Sequence, residues 1–381
     1  MMFLQKLHVD SISKEIKEIG SDEVGIAIMS KKADFFAFKI TDISFNAAMI
    51  LKQEALSLGA EFATPKECIL GKKEKYDGVL FGTLAQLIKL VKKCKIQPFG
   101  LKNLANALQK HLDCQRSFDK RQIMAVVNVT PDSFYENSRQ TQVGAIDRIE
   151  TLLQSEVSII DIGGASSRPG SELSDPQIEI KRLKEVFNYI REARLGDKKC
   201  FSIDTYHPEV ARLALKSGFR MINDVSGFAN EKMFEVAQEF DAKVVLMHTR
   251  GTPDVMMNMN NYENLFKQVD DFFNQQLEKC ESYGLRDIVL DIGFGFAKDI
   301  KQNFLLIKHL EHFCHFGLPL LVGASRKSSL QKVVGCRAED ALSATLAMHL
   351  LALQNGAQIL RVHDEKEHLD ILKILEVYYG L

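Results

Sequence analysis

The chain has 381 residues, of which 46% are apolar and 26% charged, and its formal net charge is -1. That composition suits a soluble globular protein with two domains, or one large barrel plus an appendage. It gives no support to a general nucleic-acid binder, so an anionic small ligand would have to meet local rather than global positive charge.

The opening stretch, "MMFLQKLHVDSISKEIKE", carries charges too early for a signal peptide. No window has the uninterrupted apolar length that crosses a bilayer. Seven scattered cysteines without a C-x-x-C pair read as reduced thiols. Together these features predict a cytoplasmic protein without membrane or nucleic-acid partners. Residues 1–118 read as a small α/β domain. Amphipathic helices are expected in "ISFNAAMILKQEALSLG" and "TLAQLIKLVKKCKIQPFGLKNLANALQKHL", with short strands at "VGIAIM", "FFAFKI" and "DGVLFG". No catalytic constellation stands out there, and packing or oligomerisation is the plain reading of this part.

From Gln122 a regular beat begins. Eight short apolar runs, at residues 122–129, 157–163, 199–205, 220–225, 242–248, 287–293, 318–324 and 357–363, alternate with longer amphipathic stretches. Near-continuous apolar runs suit parallel strands buried on both faces. Eight strand–helix units over residues 119–381 predict a (β/α)8 TIM barrel, a fold of about 250 residues. A doubly wound open sheet is the alternative, weakened by the lack of a dinucleotide glycine fingerprint.

Polar residues close the strands: Asn128, Asp161, Asp204, Asn223, His248, Asp291, Ser325, Arg361 and His363. In a barrel of this kind the C-terminal rim is where active sites are built. The amide of Asn128 suits a phosphate or a metal such as Mg²⁺, or else a loop cap bonding its own backbone. Arg168, in "DIGGASSRPGSE", is a candidate anion clamp or a solvated loop arginine. Asp204 and Asp291, with the amide of Asn223 between them, suit a flat array of N–H donors such as an aminopyrimidinone ring. A carboxylate in an apolar barrel mouth costs several kcal/mol unless it is hydrogen-bonded. A divalent metal is the rival reading, but no cluster with metal-ligand spacing accompanies them. Arg361 and His363 lie two apart on a strand and share a face, which suits a phosphate or pyrophosphate; a structural histidine is the alternative for His363. His248 reads as structural, because nothing pairs it with a nucleophile. No Ser-His-Asp order or G-x-S-x-G elbow is present, so covalent catalysis has no support.

Taken together, "VVNVTPDSF", "DIGGASSRPGSE", "SIDTY", "INDVSGF", "LMHTRGTP", "LDIGFGFAK", "GASRKS" and "RVHD" follow one another at successive strand ends. From residue 122 to about 375 the chain closely resembles the dihydropteroate synthases of folate biosynthesis, the target of sulfonamides. The resemblance implies condensation of 6-hydroxymethyl-7,8-dihydropterin pyrophosphate with p-aminobenzoate, releasing pyrophosphate with the help of Mg²⁺. It implies that Asn128 sits at the pyrophosphate with the metal. Asp204, Asn223, Asp291 and Lys327 would hold the pterin. Arg361 and His363 would bind the pyrophosphate, while Ser167, Arg168, Pro169, Phe296 and Ser325 would form the p-aminobenzoate side. Asp204, Asp291, Lys327, Arg361 and His363 are the expected catalytic set, in what the family suggests is a homodimer.

Two departures keep every functional group: Ser167 stands where the family has threonine, and Ile292 where it has proline. Arg326 is left unassigned, a structural ion pair and a substrate contact being equally good readings of it. The alternatives are a pterin-dependent methyltransferase, which needs no pyrophosphate or aryl-amine site, and a non-catalytic pterin-binding protein.

Overall fold

A computed structural model describes residues 2–8, 12–114, 121–129, 142–165, 175–251, 256 and 259–380. The chain divides into two compact units, Met1–Gln115 and Arg116–Leu381.

The first unit holds helices α1 (Ile12–Glu18), α2 (Glu23–Ala33), α3 (Phe45–Ser57), α4 (Leu84–Cys94) and α5 (Leu101–Asp113). Strands β1 (Phe35–Ser44), β2 (Glu61–Ala63) and β3 (Lys75–Thr83) form an antiparallel sheet in the order β1-β3-β2. The expected strands at "FFAFKI" and "DGVLFG" pair with each other in it. "VGIAIM" is not a strand but part of α2. Asp22 caps that helix by accepting from the Gly25 N–H at 2.8 Å, and Lys31 and Lys32 close its last turn. The cap and the favourable dipole outweigh the β-branched residues of this short apolar run.

The second unit is a closed barrel of eight parallel strands. They are β4 (Gln122–Asn128), β5 (Ile159–Gly163), β6 (Cys200–Asp204), β7 (Met221–Asp224), β8 (Lys243–Met247), β9 (Ile288–Asp291), β10 (Leu320–Val322) and β11 (Ile359–Val362). Strand β11 pairs with β4 and closes the ring. Helices α6 (Gln142–Leu153), α7 (Pro176–Glu192), α8 (Pro208–Lys216), α9 (Glu231–Glu239), α10 (Leu265–Ser282), α11 (Ile300–Lys308), α12 (Ser328–Val334) and α13 (Leu342–Gln354) lie between the strands, and α14 (Glu365–Gly380) follows the last one. This is the expected TIM barrel.

Its interior explains where the polar residues go. Met124, Ile159, Met221, Val245, Val289, Leu321 and Ile359 form one apolar plug inside the ring. Ile123, Ala125, Ile160, Ile222, Val244, Leu290 and Leu360 belong to the larger core between strands and helices. Side chains alternate along a strand, so residues two beyond the plug face the lumen again, one layer higher. That layer contains Asp161, Asn223, Asp291 and Arg361. Asp204 joins it two residues after the buried Ser202.

Candidate active site

The lumen layer above the plug is a charged network. Arg361 donates from Nε to Asp161 Oδ2 at 2.7 Å and from Nη2 to Asp204 Oδ2 at 2.6 Å. Asn223 Nδ2 donates to the same Asp161 oxygen at 3.1 Å. Both acids and the amide are buried, and Asp161 has no exposed surface at all. Burial raises the Asp204 carboxyl above the usual carboxylate range, and the Arg361 guanidinium opposes that rise. In the strand register Asp204 pairs with Asn223, while Asp161 pairs with Ser202, two residues before Asp204.

Asp291 belongs to the same layer. Its Oδ1 accepts the Gly293 N–H at 2.7 Å. Burial raises its pKa, and Lys327 is the main opposing charge. Lys327 in turn is brought down to about 7 by burial, with Asp291 opposing. Its ammonium bonds the Phe294 carbonyl and lies 4.3 Å from the centre of the Phe296 ring. Phe296 packs with Val225, Met247, Met256 and Ala297 in a small apolar cluster at the rim. The loop that carries it needs glycine: Gly293 has φ +64, and a Cβ there would lie 2.0 Å from the His248 carbonyl oxygen.

Ser325 and His363 meet just past the ends of β10 and β11. The Ser325 hydroxyl accepts the His363 N–H at 3.3 Å and lies 3.0 Å from His363 Nδ1. Asn128 is half-buried and pairs with Gly163 in the register, on the lumen side of β4. Its neutral amide oxygen is a ligand type that Mg²⁺ accepts when substrate phosphates supply other oxygens. The donor chemistry therefore fits Mg²⁺ held jointly by protein and substrate. Ser167, Arg168 and Pro169 lie outside the described residues.

Several residues acquire roles that sequence reasoning does not assign. Asp161 is visible as a strand-end acid, but its bond to Arg361 is not. His248 follows the lumen residue Met247, so it points outward, into the layer behind the strands. There it meets Lys298 Nζ at 2.9 Å and packs perpendicular to the ring of Phe272. Lys298 is 3% exposed and also donates to the carbonyls of His248, Gly293 and Phe296 at 3.0–3.2 Å. It ties the end of β8 to the glycine loop, and burial lowers its pKa to about 7. Glu179 on α7 is wholly buried, is pushed up to about 8 by burial, and accepts from Thr205 Oγ1 at 3.0 Å just after Asp204. Arg326 bonds Asp364 with two nitrogens, at 2.9 and 2.7 Å, and donates to the carbonyls of Ala338 and Glu339 at 2.7 Å. These bonds build it into the frame of the rim.

Residues 124–363 match the family of pterin binding enzymes. Over 375 residues the chain is 48% identical to the bifunctional dihydropteroate synthase/dihydropteroate reductase of Helicobacter pylori, covering 98% of each chain. It is 35% identical to the dihydropteroate synthase of Escherichia coli, covering 67% of this chain and 90% of that one. Among solved structures, the Yersinia pestis dihydropteroate synthase with a sulfonamide drug complex superposes with a TM-score of 0.65 at 32% identity, covering 70% of this chain and 96% of that one. The Xanthomonas albilineans dihydropteroate synthase with 4-aminobenzoic acid gives 0.63 at 32% identity, over 69% and 95%.

Proposed function

The chain belongs to the pterin binding enzymes and, within them, to the dihydropteroate synthases, and on that premise we propose how its own residues divide the work. The reaction joins 6-hydroxymethyl-7,8-dihydropterin pyrophosphate to p-aminobenzoate and releases pyrophosphate. The observation that carries the assignment is the lumen layer itself: buried acids and an amide, one step above an apolar plug, beside two cations.

Asp204, Asn223 and Asp291 accept and donate along the edge of the pterin, and Lys327 donates to its carbonyl side. The buried carboxylates favour positive charge that spreads into the conjugated ring as the carbon–oxygen bond to pyrophosphate breaks. Arg361 uses two nitrogens on Asp161 and Asp204. It therefore couples the pterin floor to the departing phosphates, which His363 also meets. Asn128 would hold Mg²⁺, which when bound supplies charge neutralisation at the phosphates. Phe296 and its apolar neighbours offer a flat wall for the aryl ring of p-aminobenzoate, and Ser325, Ser167, Arg168 and Pro169 complete that side. The arylamine attacks as an oriented neighbour, so proximity provides much of the rate.

The test is direct. Purified full-length chain with Mg²⁺, the pterin pyrophosphate and p-aminobenzoate should form dihydropteroate and pyrophosphate in equal amounts. Chelation should stop turnover, and added Mg²⁺ should restore it. No product in an assay where a control synthase is active would sink the reading. A homodimer is also proposed, and sedimentation of the full chain checks it. Among the described residues no helix is long and apolar enough to cross a membrane.

A second activity is favoured by one observation. The match to the Helicobacter pylori bifunctional protein spans 98% of both chains, whereas the Escherichia coli synthase matches 67% of this one. We infer that this chain also reduces dihydropteroate, a hydride and a proton adding across the remaining C=N bond. The full chain with dihydropteroate and a reduced nicotinamide or flavin donor should form tetrahydropteroate. Its absence with both donors would refute this second reading and leave the synthase untouched.

A further inference from the structure

Behind the rim loop that carries Ser325 and Lys327 lies a line of buried polar groups that the synthase reaction does not use. Helix α13 faces this loop with Thr345 and His349, four residues apart and so on one side of the helix. Thr345 Oγ1 accepts the Arg326 N–H at 2.9 Å, and His349 Nε2 accepts the Ala324 N–H at 3.0 Å. The two backbone groups flank Ser325. Beyond His349 the line continues to α14: His349 Nδ1 lies 2.8 Å from His368 Nε2, and His368 Nδ1 lies 2.6 Å from the Asp364 carbonyl oxygen. Both imidazoles are completely buried.

The chemistry of the ends dictates the proton positions. A backbone N–H only donates, so His349 Nε2 carries a lone pair and its proton sits on Nδ1. That proton points at His368, whose Nε2 must accept, leaving the second proton on His368 Nδ1. A carbonyl only accepts, which completes the sequence. Every link has one donor and one acceptor only when both rings are neutral Nδ1–H tautomers. Burial, which lowers the pKa of both rings, agrees with that state.

The line is also a closed circuit. It starts at Ala324 and ends at the Asp364 carbonyl, while the Asp364 carboxylate is held by Arg326, two residues after Ala324. Inside this circuit sit Ser325 and His363, bonded to each other, and just beyond it sits Lys327. Apolar residues of similar volume would fill the same space without the cost of desolvating two imidazoles. What the imidazoles add is a fixed height and angle for the loop between β10 and α12.

We infer that His349 and His368 are positioning residues for the synthase reaction: as a one-directional pair of neutral imidazoles they join the β10 and β11 rim loops and hold Ser325, Lys327 and His363 in working register. The catalytic consequence rests on the synthase reading, but the tautomers can be read without substrate. Full-length protein labelled with ¹⁵N-histidine should show both rings as neutral Nδ1–H tautomers at pH 7, with His349→Gln and His368→Gln assigning the signals. His368→Leu, at a temperature where circular dichroism shows it folded, should lose kcat/KM for the pterin pyrophosphate on the order of ten-fold, the size of one lost buried hydrogen bond. His368→Gln, which keeps one acceptor and one donor, should recover most of that loss. An Nε2–H tautomer on either ring overturns the inference, and so does a folded His368→Leu with unchanged kcat/KM. If that variant does not fold, the tautomers of the native chain decide alone.

Discussion

Arg361 is the most informative residue to remove. Its guanidinium is the cation between two buried acids, at 2.7 Å from Asp161 and 2.6 Å from Asp204. Arg361→Met keeps much of the apolar stem and deletes the charge. Asp161 then retains the Asn223 amide, and Asp204 loses its nearest cation. Breaking a buried pair from one side costs about 3–5 kcal/mol, because the surviving charge stays desolvated. The Arg361 side chain is 21% exposed, so water reaches part of the gap and the lower end, about 3 kcal/mol, is expected.

The pH dependence has a definite sign. The Asp204 carboxyl is already raised by burial, and deleting Arg361 raises it further. A carboxyl with a raised folded-state pKa takes up a proton more readily when folded, so its penalty grows as pH rises above the unfolded value. The deficit of Arg361→Met should therefore be larger at pH 8 than at pH 6. The assay is urea unfolding followed by far-ultraviolet circular dichroism, since the chain contains no tryptophan. A loss below about 1 kcal/mol at pH 8, against the range for a broken buried pair, would refute the reasoning. So would a deficit that grows on acidification.

Asp291→Ala should leave the barrel folded and abolish binding of the pterin pyrophosphate by calorimetry; wild-type binding would move the pterin elsewhere. Gly293→Ala should cost at least about 2 kcal/mol of stability in urea titrations, from a left-handed backbone and a Cβ driven against the His248 carbonyl. A neutral effect there would mean the loop relaxes freely. His349 is neutral when folded, being buried and faced by His368, Lys327 and His363, but takes a proton near pH 6.5 when unfolded. The unfolded state then binds more protons, so wild-type stability falls as pH drops below about 6.5. His349→Gln should be spared about 1 kcal/mol of that fall per pH unit, and parallel pH profiles for the two proteins would contradict a neutral buried ring.

Much of the fold is legible in the sequence. Eight apolar runs, each closed by a polar residue, are what a barrel with a plugged lumen requires, and the alternation of side chains puts Asp204, Asn223, Asp291 and Arg361 above that plug. "VGIAIM" misleads because a short apolar run fits helix and strand alike, and a cap at Asp22 decides for the helix. Partners are a different matter. Arg361 meets Asp161 from 200 positions away, and Lys298 meets His248 from 50. Arg326, open in the sequence between an ion pair and a substrate contact, clasps Asp364. The amino-acid pattern by itself determines which residues face the lumen, because strand alternation is local. Which of them touch, and which histidines line up behind the rim, only closure of the barrel decides. Ring register and helix packing bring together groups that no periodicity along the chain connects.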